Sequence, residues 1–101
     1  MGAASALVQE LVALYQDDVP NRMALLRAAL LAADAPQAMS EAHQLKGALG
    51  NLGLLRFADL ASRLEQSLKE GPPGEVVRLS EALPAAYDAA LQALLAEFPE
   101  A

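Results

Sequence analysis

Cysteine and tryptophan are both missing from this chain of 101 residues, and two tyrosines and two phenylalanines are its only aromatic side chains. Without thiols there is no disulfide framework and no thiolate metal site, which fits a reducing compartment. Basic residues are few as well: seven Lys and Arg, scattered along the sequence, stand against thirteen Asp and Glu, for a net charge of −6. Nucleic acid and anionic membrane surfaces both require a basic patch, so neither is an expected partner. No apolar run reaches the ~18 residues of a membrane span, and the amino terminus lacks a basic-then-apolar export signal. The opening MGAASA carries Ala6 where a myristoylation pattern needs Ser or Thr. A soluble, cytoplasmic protein is the expectation. With one histidine and no Glu-x-x-His spacing, a transition-metal site is not expected, and no cofactor is implied. A Gly-rich phosphate loop and a Gly-x-Ser-x-Gly elbow are absent, and the chain has no room for an ATP-binding domain.

What the chain does have is alanine and leucine. Hydrophobic residues make up 54% of it, without sustained apolar and polar alternation, which predicts an all-α fold. Its length suits one domain spanning residues 1–101, and no internal repeat or low-complexity segment divides it.

In order, a first helix is predicted from Ser5, a candidate N-cap, to Gln16, burying Leu7, Leu11 and Leu14. Asp17-Asp18-Val19-Pro20 reads as a break, with Pro20 in the first turn of a second helix that runs to about Ala33 and buries Val19, Met23, Leu26 and Leu30. Asp34-Ala35-Pro36-Gln37 is a start signal: a capping carboxylate, a first-turn proline, and Gln37 placed to reach back as in a capping box. That third helix ends at Asn51 and Gly53, the glycine being suited to a left-handed conformation. A fourth, from about Leu54 to Glu70, buries Phe57, Leu60, Ala61, Leu64 and Leu68. Gly71-Pro72-Pro73-Gly74 stops it, and a last helix from about Glu75 to Glu97 carries Val76, Leu79, Leu83, Ala86, Ala90 and Leu94, with a kink expected near residues 80–84 at Pro84 and with Pro99 beyond its end. Short connections make neighbours antiparallel. The predicted architecture is an up-down-up-down four-helix bundle with an additional N-terminal helix against one end or side.

The stretch from Glu41 to Glu65 holds the one histidine, His43. Ala38, Ala42, Leu45, Leu49 and Leu52 form the buried seam of its helix, and His43 lies off that seam, so its ring is expected at the surface. Lys46 and Gly47 fall on the face of His43 one turn along, and Gly50 a further turn along. Two glycines inside one helix each cost about 1 kcal/mol relative to alanine unless something approaches that surface. A lone exposed histidine or lysine is by itself an ordinary solvated side chain. Together they can do chemistry: neutral imidazole, with a free-chain pKa of about 6.5, is nucleophilic near neutrality, and an ammonium beside it can take up charge on an arriving phosphoryl group. Reversal of the chain near Gly53 brings the neighbourhood of Ser62 to Glu65 level with His43. A Glu65 carboxylate accepting from Nδ1–H would leave Nε2 to attack; otherwise Glu65 is one more solvated acid.

The string His43-Gln44-Leu45-Lys46-Gly47, with Gly53 after it and Leu60, Leu64 and Glu65 downstream, resembles the signature of histidine-containing phosphotransfer (HPt) domains. The resemblance implies a four-helix bundle and a phosphorelay carrier, in which the histidine accepts a phosphoryl group from a receiver-domain aspartate and passes it to another receiver in a two-component signalling pathway. It implies a phosphoprotein rather than an enzyme, acting as a monomer, with response-regulator receiver domains and a hybrid sensor kinase as partners and with magnesium on the receiver, not on this chain. Glu65 stands where the family carries a Gln or Glu that hydrogen-bonds the histidine. Because the receiver aspartate is recessed, Gly47 and Gly50 would keep the approach to the ring clear, although many members carry alanine or serine at position 50, where glycine could instead serve helix packing or fraying. Met39, one turn before His43, is a candidate docking residue. Dimeric autokinases place Asp or Glu directly after the histidine and a proline soon after; Gln44 and the lack of a nearby downstream proline argue against autokinase activity. Two alternatives stay open: the phosphorylatable histidine domain of a chemotaxis-type kinase, and a catalytically silent bundle that binds receivers only as a scaffold.

Overall fold

Local hydrogen bonding at Asp34 begins the helix that matters most. Its carboxylate accepts from the Gln37 backbone N–H at 3.2 Å, and Ala35 and Pro36 occupy the first turn. In the computed structural model, which describes residues 3–97 and the side chains of 6–96, this helix is α2, Ala35–Asn51. Before it runs α1, Ala3–Leu31; after it come α3, Leu55–Glu70, α4, Pro73–Glu81, and α5, Leu83–Glu97. Ser5, expected to cap the first helix, lies inside α1, which is already helical at Ala3, and so is not its N-cap; the expected Pro99 stop lies outside the described residues.

The fold is all-α, and no strand occurs among the described residues. Helix α1 lies against α2 and α5, α2 against α3, and α3 against α4 and α5, which closes a ring of four antiparallel columns with α4 and α5 sharing the fourth. The column is long and thin, 49 × 17 × 17 Å. Tyr15, Val19, Leu26, Leu45, Leu49 and Leu64 are its largest fully buried side chains, each leucine contributing roughly 1.5–3 kcal/mol by leaving water.

The N-terminal part differs from the sequence expectation. There is no separate first helix: α1 passes through Asp17-Asp18-Val19-Pro20 without a break. Asp18 is not a cap but pairs with Arg22 one turn on, at 2.7 Å, and Val19 is wholly buried. Packing on both sides of Pro20 keeps the helix unbroken through a residue that costs about 3 kcal/mol there. Continuity also rotates the expected buried stripe outward. Counting back from Val19 in helical steps, Tyr15, Val12 and Val8 face inward, whereas Leu7, Leu11 and Leu14 fall on the flank and are 60%, 41% and 53% exposed.

The α1–α2 and α2–α3 connections open with one device. The amide of Ala33 bonds to Leu30 and that of Asp34 to Ala29; the amide of Gly53 bonds to Gly50 and that of Leu54 to Leu49. Each pair is a Schellman closure around a left-handed residue, Gly53 at φ 74° and, less comfortably, Ala33 at φ 55°. Because the Asp34 amide is satisfied in this way, Gln37 does not reach back to it. Its side chain donates instead to Glu41 at 2.8 Å, so the expected capping box is only half formed. At the other end, Ala82 interrupts the last column and Pro84 falls in the first turn of α5, which realises the expected kink as a break. Gly71 is required by contact: a Cβ there would stand 2.9 Å from the Ser67 Cα.

Candidate functional site

Periodicity of α2 sets the first side of the site. Ala38, Ala42, Leu45 and Leu49 are buried, which turns His43 outward with its side chain 65% exposed. Lys46, one turn along, lies over the edge between α2 and α3. Burial of Phe57, Ala58, Ala61 and Leu64 fixes the phase of α3 and brings Glu65 to the same edge, its side chain only 13% exposed.

The three groups meet there. His43 Nδ1 lies 3.1 Å from Glu65 Oε2 and 3.4 Å from Oε1, and Lys46 Nζ lies 3.4 Å from Oε1. An ionised carboxylate can only accept, so in the neutral ring Nδ1 carries the proton and Nε2 keeps its lone pair toward solvent. Burial pushes the Glu65 carboxyl upward, but the charge and hydrogen bond of Lys46, followed by those of His43, outweigh it and hold the group below its ordinary value. The carboxylate that receives the Nδ1 proton's hydrogen bond therefore stays ionised.

Around the ring the surface is bare. Gly47 and Gly50 are exposed, and a Cβ built at either meets nothing within 4 Å. Close helix packing therefore does not explain Gly50. Met39 is half-buried on the His43 side of α2. One participant is absent from the sequence reading: Lys69 Nζ lies 3.8 Å from Glu65 Oε2, one turn along α3. Its signal was there, since Glu65 and Lys69 have the i, i+4 order that favours an acid before a base. No group of three or more metal-ligating side chains occurs among the described residues, and no described helix is long and apolar enough to cross a membrane.

Fold and site together define an all-α bundle organised around one displayed histidine. The family model of the Hpt domain matches residues 10–97, and the chain belongs to that family. Hpt domains are phosphorelay histidine carriers of two-component signalling; they interact with receiver domains of response regulators and have no catalytic activity of their own. No curated protein and no solved structure matches the chain.

Proposed function

We propose that His43 is the phosphoryl-accepting residue, and that the protein, a single domain over residues 1–101, takes the group from the aspartate of one receiver and delivers it to that of another. The observation that carries this reading is the one-sided hydrogen bonding of the ring: Nδ1 is tied to Glu65 at 3.1 Å while the other edge faces solvent. In the forward step Nε2 attacks phosphorus, the N–P bond forms as the P–O bond of the aspartyl phosphate breaks, and the receiver's aspartate leaves as a carboxylate. Nδ1 keeps its proton, which stays on the hydrogen bond to Glu65. Lys46 draws density from the phosphoryl oxygens, whose charge grows in a loose transition state. Gly47 and Gly50 leave the line of approach open, and Met39 contributes apolar contact to the docked receiver. Any magnesium belongs to the receiver; the carrier acts as a cytoplasmic monomer without autokinase activity, and a hybrid sensor kinase stands upstream.

The test mixes the protein with a panel of radiolabelled phospho-receivers. Label should move to the wild type, survive base and be lost in acid, and fail to move to His43→Gln. A wild type that no receiver labels, yet that binds receivers, would favour the silent scaffold. Labelling only by a cognate ATP-binding domain would favour the chemotaxis-type kinase.

A further inference from the structure

Of the seven lysines and arginines, five hold a carboxylate, and two, Arg27 and Arg56, make no ion pair among the described residues. Arg27 shares a crevice between α1 and the α4–α5 break with Glu81. Arg56 stands on a groove with no acid in it. Helix α1 has 29 residues against 17 in α2, so its amino-terminal part runs on past the α2–α3 turn, beside the end of α5. The space under that overhang is about 580 Å³, within the roughly 300–1,000 Å³ of small-molecule sites. Leu11, Leu52, Leu54, Phe57, Ala90 and Leu94 wall it, Leu55 lies 72% exposed at its rim, and Arg56 is the one charged side chain among the lining residues. On a chain of net charge −6, the unpaired guanidinium gives this apolar patch a charge opposite to that of the whole.

We propose that the groove binds a long-chain carboxylate, its aliphatic tail along the leucine and alanine walls and its head on the Arg56 guanidinium. The proposal does not rest on the carrier reading. Ligand and site match in proportion as well as in sign: the walls offer one cation and otherwise hydrocarbon, and the ligand offers one anion and an unbranched hydrocarbon tail. A planar guanidinium takes a carboxylate through two parallel N–H donors, and its methylene stem can lie on the leucines while the charged end stays in water. Gly53, on the groove wall, stands ten residues beyond His43, roughly 15 Å along the bundle, so the ligand leaves the imidazole free.

Calorimetric titration of the full chain with dodecanoate, kept below its micelle concentration, tests this. Saturable one-to-one binding is expected, tightening from octanoate to dodecanoate by up to about fourfold per added CH2. Dodecyltrimethylammonium, with the same tail and the opposite head, should bind about tenfold more weakly although the chain is acidic. Arg56→Gln should erase that preference, and Arg56→Lys should keep part of it. Ala90→Phe fills the groove and should abolish binding; Ala93→Phe, at an exposed lining position, is a second filler that keeps the test decisive if circular dichroism shows Ala90→Phe unfolded. Dodecanoate that binds without saturation, that binds no better than dodecyltrimethylammonium, or that binds wild type, Arg56→Gln and the folded fillers alike overturns the proposal. So does a sedimentation mass twice that of the chain that Ala93→Phe halves, because a second copy then covers the groove.

Discussion

At position 47 a side chain would rise from the α2 surface one turn beyond the imidazole, where a receiver must pass to bring its phosphorus in line with Nε2. The structure separates this steric role from folding, because a Cβ at Gly47 meets nothing within 4 Å. Gly47→Gln should therefore keep the fold, with thermal stability equal or slightly raised since glycine is the poorer helix former, while transfer from a phospho-receiver slows by about 10²-fold. Unchanged transfer kinetics in that variant would remove the crowding argument. Glu65 gives a second expectation at this scale. Its folded pKa lies below the ordinary 4.5, so its contacts contribute stability fully above that value and lose it as pH falls through the depressed pKa. A carboxyl-carbon NMR titration should place the Glu65 inflection below 4.5; an inflection at or above it would mean that Lys46 and His43 do not hold the carboxylate. What could be read here from sequence was what one helix holds. His43, Lys46 and Gly47 share a face by periodicity alone, and the hairpin at Gly53 placed Glu65 level with them. Lys69 went unread although its i, i+4 spacing from Glu65 was legible, because only the packing of α2 on α3 brings that pair to the edge that holds His43.

Among the elements, α1 shows where local signals lose to packing. Asp17-Asp18-Val19-Pro20 carries every mark of a helix start, and Asp34-Ala35-Pro36-Gln37 carries the same marks, yet only the second is one. The difference lies in what surrounds them. Asp34 follows a left-handed Ala33 that has already turned the chain, whereas Asp18 is taken by Arg22 and Val19 is fixed in the core. Once α1 is continuous its inward face is set by Val19 and Leu26, and the Leu7, Leu11, Leu14 stripe cannot choose its own partner. Pro20 is exposed and denies the Gln16 carbonyl its helical hydrogen bond. Replacing it with alanine should raise unfolding free energy by up to about 3 kcal/mol in urea titration. No gain, or a loss, would show that the proline is accommodated in some other way.

For the molecule as a whole, two seams do different work. The α2–α3 seam carries His43, Lys46, Glu65 and Lys69, while the seam between α1 and α5 closes the ring of helices. There the Tyr15 and Tyr87 rings stack with centroids 4.7 Å apart, and the Tyr15 hydroxyl donates to the Tyr87 carbonyl at 2.8 Å. Burial first, and then the nearby Tyr87 and Asp88, push the Tyr15 hydroxyl far above its ordinary value, so it stays a neutral donor at any pH the fold meets. Tyr15→Phe should cost about 1 kcal/mol of stability through the lost hydrogen bond while leaving phosphoryl transfer within roughly twofold of wild type, since the two seams share no partner. A large transfer defect in Tyr15→Phe would show instead that the seams are coupled. The pairing was beyond the reach of sequence, because two tyrosines 72 positions apart give no periodic sign that they meet.

The central claim is that the ring accepts a phosphoryl group at Nε2 while Glu65 keeps the proton at Nδ1. Nitrogen and phosphorus NMR on protein loaded from a phospho-receiver reads both nitrogens at once. The account predicts a single phosphoramidate signal coupled to Nε2 of His43, with Nδ1 protonated and its signal displaced in Glu65→Ala; phosphorus on Nδ1, on a carboxylate, or on no site at all would contradict it.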